Sequence, residues 1–186
     1  LNLIAPGHGP LYRKNTNKII NDYTRFSKYA EGAGKNEITI LWGSMYGMTK
    51  KAITYAEKIL EREGIKVNSL EMPLNTDSEM IATVFRSAGI IIAAPTYEYK
   101  LFPPVAAAMD EIGRKKITGK AAFRFGSYGW SGGAEKELNE IVERNRMKWD
   151  FVESVEFEGS PKQEDLDKIE AGIMELIQKM KEKIVE

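Results

Sequence analysis

The chain has 186 residues, 42% hydrophobic and 29% charged, enough for one domain with a sizeable core. Lysine plus arginine and aspartate plus glutamate balance at 27 each, so no basic excess points to nucleic acid or to an anionic membrane surface. Cysteine is absent, which excludes disulfides, thiol catalysis and thiolate-bound metal or iron–sulfur centres within the chain.

No apolar run approaches the roughly 20 residues of a bilayer span. A cytoplasmic location is expected. The chain opens at Leu1 and not at methionine, which reads as a fragment of a longer protein. Leu1 to Tyr12 is an apolar run ending in Pro6-Gly7-His8-Gly9-Pro10, the end of a strand with no partner nearby in sequence. His8 is the only histidine. It is either an exposed turn histidine or a metal ligand on a tight turn. One histidine makes no site, so other ligands would have to come from another segment or chain.

Asn15 to Ala30 reads as a helix, with Thr16 as N-cap and Ile19, Ile20, Tyr23, Phe26, Tyr29 and Ala30 near one face. Gly32 to Asn36 reads as a linker, and the domain proper is expected from Glu37. From there apolar runs and amphipathic runs alternate. Ile38 to Trp42 is a strand, followed by a helix with Ala52, Ile53, Ala56, Ile59 and Leu60 on one face and Gly64 as its stop. Ile65 to Leu70 is a strand, and Ser78 to Arg86 a helix. Gly89 to Ala94 is apolar on both faces, as in a central parallel strand. Pro95 to Phe102 is an irregular loop before a helix from Pro103 to about Ile112. Ala121 to Phe125 is a strand, Ala134 to Arg144 a helix, and Trp149 to Phe157 the last strand. Gln163 to Val185 is a long terminal helix with Leu166, Ile169, Ile173, Leu176, Ile177, Met180 and Ile184 as its stripe. This alternation predicts an α/β fold, a doubly wound parallel sheet of about five strands.

Three loops leave strand carboxyl ends, where ligands of such sheets sit. The first, Gly43 to Lys50, offers the hydroxyls of Ser44 and Thr49, the N–H groups of Met45 to Thr49 (through Tyr46 and Met48), and Gly47 for close backbone approach. At a helix start these groups can hold a phosphate without a cationic side chain. Lys50 adds charge or faces solvent. The second, Pro95-Thr96-Tyr97-Glu98-Tyr99, is aromatic, and Glu98 repels an anionic ring only if it points inward. The third is Gly126-Ser127-Tyr128-Gly129-Trp130-Ser131-Gly132-Gly133. Its aromatics either pack on one another to close the loop or wall a flat slot for a large ring. A phosphate nest with two aromatic walls suits a mononucleotide with a wide ring system, and FMN fits better than a dinucleotide. The Gly-x-Gly-x-x-Gly fingerprint is missing, and Gly47 is not followed by Gly-Lys-Ser/Thr.

Ser44 to Thr49 resembles the phosphate loop of flavodoxins. Ala94 to Tyr97 and Phe125 to Gly132 resemble the second and third flavin loops of flavodiiron proteins, and Ala5 to Pro10 resembles the end of that family's metallo-β-lactamase-like domain. The resemblance covers the whole chain. It implies a remnant of the upstream domain over residues 1–14, a connecting helix and linker over 15–36, and a flavodoxin-like FMN-binding domain over 37–186. It also implies electron transfer from rubredoxin or a flavin reductase, through FMN, to a diiron centre that reduces oxygen or nitric oxide. The cofactor-binding residues would be Ser44, Met45, Tyr46, Gly47, Met48, Thr49, Pro95, Thr96, Tyr97, Glu98, Ser127, Tyr128, Gly129, Trp130 and Gly132. His8 would be an iron ligand only together with the upstream diiron domain. A head-to-tail homodimer is a further implication. No side chain is needed as acid, base or nucleophile, and glycines 126, 129 and 132 would permit peptide flips. The rivals are a stand-alone flavodoxin, a flavodoxin-like NAD(P)H quinone reductase, or a flavin-free docking domain.

Overall fold

The computed structural model describes residues 1–185. The elements in chain order are α1 (Thr16–Ala30), β1 (Lys35–Trp42), α2 (Met48–Arg62), β2 (Lys66–Glu71), α3 (Asp77–Arg86) and β3 (Ser87–Ala93). They continue with β4 (Thr96–Tyr97), β5 (Lys100–Leu101), α4 (Pro103–Arg114), β6 (Ala121–Tyr128), α5 (Ala134–Arg144), β7 (Asp150–Phe151), β8 (Val155–Glu158) and α6 (Gln163–Lys181).

The main sheet runs β2-β1-β3-β6-β7, with β8 also on β6, and every pairing in it is parallel. Parallel neighbours need crossovers; α2 to α5 supply them on both faces, and the terminal α6 packs beside α2. The α2–α6 face packs on Ile38, Ile40, Ile91, Phe123, Phe125 and Phe157. The α3–α5 face packs on Leu41, Ile90, Ile92 and Ala122. Each wholly buried leucine or isoleucine contributes about 1.5–3 kcal/mol, so both layers are held by the sheet they share. β3, buried at every residue, is the central strand that its two-faced apolar run predicts.

Helix α2 follows its expected pattern. Ala52, Ile53, Ala56, Ile59 and Leu60 are all buried. Gly64, at φ 68°, ends it, with its N–H bonded to Glu61 and the Ile65 N–H to Leu60.

Several local expectations change. The fifth strand is not continuous from Trp149 to Phe157. β7 and β8 both pair with β6, but Ala122 faces Phe151 while Phe125 faces Val155. Three steps on β6 thus match four on the fifth strand, which carries one extra residue at the break. The second loop is not irregular, because β4 and β5 form a small antiparallel hairpin. Ile4 bridges Tyr12, so the first apolar run finds its partner eight residues on. β1 begins at Lys35, within the expected linker, and Gly34 bridges Ile184. A Cβ at Gly34 would collide with the Ser87–Ala88 backbone, so only glycine enters here. α6 stops at Lys181 because the chain turns into that bridge. α1 leaves most of its apolar stripe in solvent; of that stripe Tyr29 alone is buried, packed edge-on to Phe85 of α3 at 5.8 Å.

Candidate functional site

β1 and β3 flank the point where strand order reverses, so the loops that follow them open a crevice between them. In the first loop, Ser44 Oγ accepts from the Gly47 N–H at 3.0 Å. Gly47 takes φ 80° as the N-cap of α2, and no side chain caps the helix. The N–H groups of Met48, Thr49 and Lys50 have no acceptor inside the helix. No acidic residue lies in the first turn to offset the helix dipole. Lys50 Nζ lies 5.6 Å from the centroid of the Trp42 ring, so the charge of Lys50 belongs to that contact. The anion-binding capacity here therefore comes from backbone. Thr49 is buried, and its hydroxyl bonds Ser127 at 2.9 Å, tying the first loop to the third.

The second loop projects as the β4–β5 hairpin. Its turn residues Glu98 and Tyr99 have φ of 47° and 63°, a left-handed pair that two-residue hairpins need but side chains resist. The Leu101 N–H donates to Glu137 at 2.7 Å and fastens the hairpin to α5. Thr96 Oγ1 is buried with no hydrogen-bond partner.

The third loop starts at Gly126, where a Cβ would collide with the Ala94 carbonyl. At Gly132 a Cβ would lie 2.5 Å from Glu156 Oε2. Neither glycine has a left-handed φ, so space and not backbone freedom requires them. Gly129 meets nothing within 4 Å.

The loops meet around a cleft of about 460 Å³. Met45, Tyr46 and Met48 line it from the first loop, Pro95 to Tyr99 from the second, and Ser127 to Ser131 from the third. Of the expected binding residues, Ser44, Gly47, Thr49 and Gly132 are not in its walls. The first three build the start of α2, and Gly132 rests on Glu156. Tyr99, Ser131 and Gly159 join the walls unexpectedly. Gly159 follows β8 and donates its N–H to Tyr128 at 2.8 Å; a glycine just past the last strand was the available signal. Trp130 is 89% exposed and Tyr46 84%. Among the described residues, no ring pair joins any two of Tyr46, Tyr97, Tyr99, Tyr128 and Trp130. The aromatics therefore do not close the loops on one another. They stand open around a slot.

His8 is exposed on the N-terminal bend. The described residues hold no group of three or more metal-ligating side chains, and no described helix is long and apolar enough to cross a membrane. Two buried cations gave no signal in sequence. Lys120 is wholly buried and donates to the carbonyls of Ala33 at 2.7 Å and Phe85 at 2.8 Å. Burial pushes its ammonium down to about 7, and Lys183 adds to the fall. Arg124 is also wholly buried, with Nη1 2.7 Å from Glu156 Oε1.

A parallel sheet in this strand order, with a cleft built from its carboxyl-end loops beside the switch point, defines a flavodoxin-like domain. The solved rubredoxin oxygen:oxidoreductase of Desulfovibrio gigas has the same fold, with a TM-score of 0.83 at 23% identity over 98% of this chain and 45% of that one. The nitric oxide reductase of Moorella thermoacetica is 27% identical over 89% of this chain and 41% of its own length. The anaerobic nitric oxide reductase flavorubredoxin of Vibrio vulnificus is 32% identical over 75% of this chain and 28% of its own length. The chain is similar over nearly its whole length to the flavodoxin-like part of flavodiiron proteins. It spans less than half the length of these relatives. No protein-family model matches it.

Proposed function

We propose that the chain is an FMN-binding electron-transfer domain. The observation that carries this reading is the convergence of an uncapped helix start, an unpartnered buried hydroxyl and open aromatic walls on one cleft. These residues fit the cofactor. The α2 start would hold the phosphate through backbone N–H groups, in a loop that the Ser44 and Thr49 hydroxyls and Gly47 shape. Tyr97, Tyr128 and Trp130 would flank the ring, and Thr96 Oγ1 would gain the partner it lacks. When bound, FMN supplies one- and two-electron redox chemistry. The chain's own part is to orient the ring, exclude water from its faces and set the polarity around it. Apolar walls and the nearby Glu98 disfavour negative charge on the ring, whereas loop N–H groups favour it.

In this reading the electron donor is rubredoxin or a flavin reductase, and the acceptor is a diiron centre in an upstream domain that reduces oxygen or nitric oxide. The relatives named as nitric oxide reductases support that placement. Residues 1–14 would end that domain, 15–36 would connect, and 37–186 would bind FMN. His8 would complete the iron ligands only with that upstream part. A cytoplasmic location and a homodimer belong to the same proposal.

The test is spectroscopic. Protein loaded with FMN and freed of excess should show flavin absorbance in the visible, at one flavin per chain. Thr49→Ala and Gly47→Val should each raise the FMN dissociation constant by about tenfold, the scale of one lost hydrogen bond or a strained loop. Protein that takes up no FMN sinks the reading, and unchanged affinity in both variants removes the first loop from it.

A further inference from the structure

Arg124 sits between Phe123 and Phe125 in a core strand. Those phenylalanines pack in the α2–α6 layer, while Ala122 packs in the α3–α5 layer, so Arg124 enters the α3–α5 side. Its guanidinium is a cation that is 0% exposed. Among the described residues Glu156 is its one side-chain partner, and Nε and Nη2 are buried without acceptors. Apolar residues of similar volume are usually as stable as such a pair, or more so. Stability alone therefore does not account for it.

The broken fifth strand supplies the other half. Phe151 packs towards the α3–α5 layer and Val152 towards the α2–α6 layer. Strict alternation would send Val155 back to the side of Phe151. Instead Val155 and Phe157 both pack in the α2–α6 layer, because of the extra residue at the break. That residue turns Glu156 onto the face where Arg124 lies. The break is itself fastened, since Ser154 Oγ donates to Glu135 of α5 at 2.7 Å. Glu156 Oε1 takes the arginine, and Oε2 lies 2.5 Å from where a Cβ of Gly132 would be. The third loop comes down onto this carboxylate through a residue with no side chain.

We propose that Arg124 and Glu156 are positioning residues, an ion pair between a wholly buried guanidinium and a partly exposed carboxylate that seats Gly132 and so holds the Tyr128–Ser131 wall of the cleft. The inference rests on the FMN reading for its ligand. Neither residue lines the cleft, so both act through the loop.

The test is the double variant Arg124→Met/Glu156→Met in the full chain, with Glu156→Gln alone beside it. Removing both charges leaves no unpaired buried ion, so the fold is expected to survive with a urea midpoint no lower than the parent's. Three quantities are read: the urea midpoint, the FMN dissociation constant, and hydrogen exchange of the segment 127–133 in flavin-free protein. The expected result is a preserved midpoint, an FMN constant raised about tenfold and exchange of the loop accelerated by a similar factor. Glu156→Gln should show a smaller change in both. A double variant that binds FMN as tightly as the parent, with unchanged loop exchange, overturns the proposal. If the parent binds no FMN, the cofactor reading falls and loop exchange alone decides the seat. If the double variant does not fold, Glu156→Gln decides by the same two readouts.

Discussion

At the scale of single residues, the chemistry that sequence hid is charge inside the sheet. Lys120 and Arg124 stand six and two residues before Gly126, in a run that otherwise reads as apolar strand. A charged residue there looks like a solvent-facing position. What satisfies it comes from far along the chain: the carbonyls of Ala33 and Phe85 for Lys120, and the Glu156 carboxylate for Arg124. Lys120 has a consequence for stability. Below about pH 7 the folded chain must bury an ammonium. Above that, the folded amine is neutral, while the unfolded chain keeps its proton to near the ordinary 10.5. The unfolded state then binds more protons, so this group makes stability rise with pH between those values, by about 1 kcal/mol per unit at most. Lys120→Met should abolish that rise and, by stranding two carbonyls, cost about 1–3 kcal/mol at pH 9. Urea unfolding of both proteins at pH 7 and 9 checks this; parallel pH slopes would refute it.

At the scale of elements, the helices and central strands were legible because their periodicity is local. The stripe of α2 and the two-faced apolar run of β3 need no knowledge of their partners. The β4–β5 hairpin was not legible. Its turn uses Glu98 and Tyr99 where glycine or asparagine would normally announce it. Non-glycine residues held in that conformation cluster at binding sites, where another need outweighs the strain. For Tyr99 that need is the cleft wall. Tyr99→Asn should therefore separate the two roles. Asparagine tolerates the left-handed turn, so the melting temperature should stay level or rise, while loss of the ring should weaken FMN binding by about threefold. Thermal melts and flavin titration read the two effects. An unchanged dissociation constant would show that Tyr99 is only a turn residue. The break in the fifth strand was equally invisible, because one extra residue alters no composition and only reverses which face each side chain meets.

At the scale of the whole molecule, one sheet carries two helical layers and gathers three loops at one edge. Thr49 of the first loop and Ser127 of the third are 78 residues apart in sequence, yet they bond directly. A ligand that bridges the loops binds the folded chain and not the unfolded one. FMN at about 100 times its dissociation constant should add about 2.7 kcal/mol, raising the melting temperature by roughly 5–10 °C for a chain of this size. A melt that does not move with FMN would show that the cleft does not take it. The same logic makes the Thr49–Ser127 bond a sensor of loop convergence, since removing either hydroxyl loosens two loops at once.

The sequence by itself determined the alternation of elements, the parallel doubly wound sheet and the loops on its carboxyl edge. Those follow from hydrophobic period and from glycine and proline, which act within a few residues. Phe125 to Gly132, together with Ala94 to Tyr97 and Ala5 to Pro10, also suggested the family. Only the tertiary structure decided that Ser44 and Thr49 spend their hydroxyls on the loops themselves, that Lys50 turns to Trp42, and that Glu156 meets Arg124 beneath Gly132. Each of those depends on register and on the closing of distant strands. A side chain's partner across a sheet is set by which face it occupies, and a single inserted residue is enough to change that face.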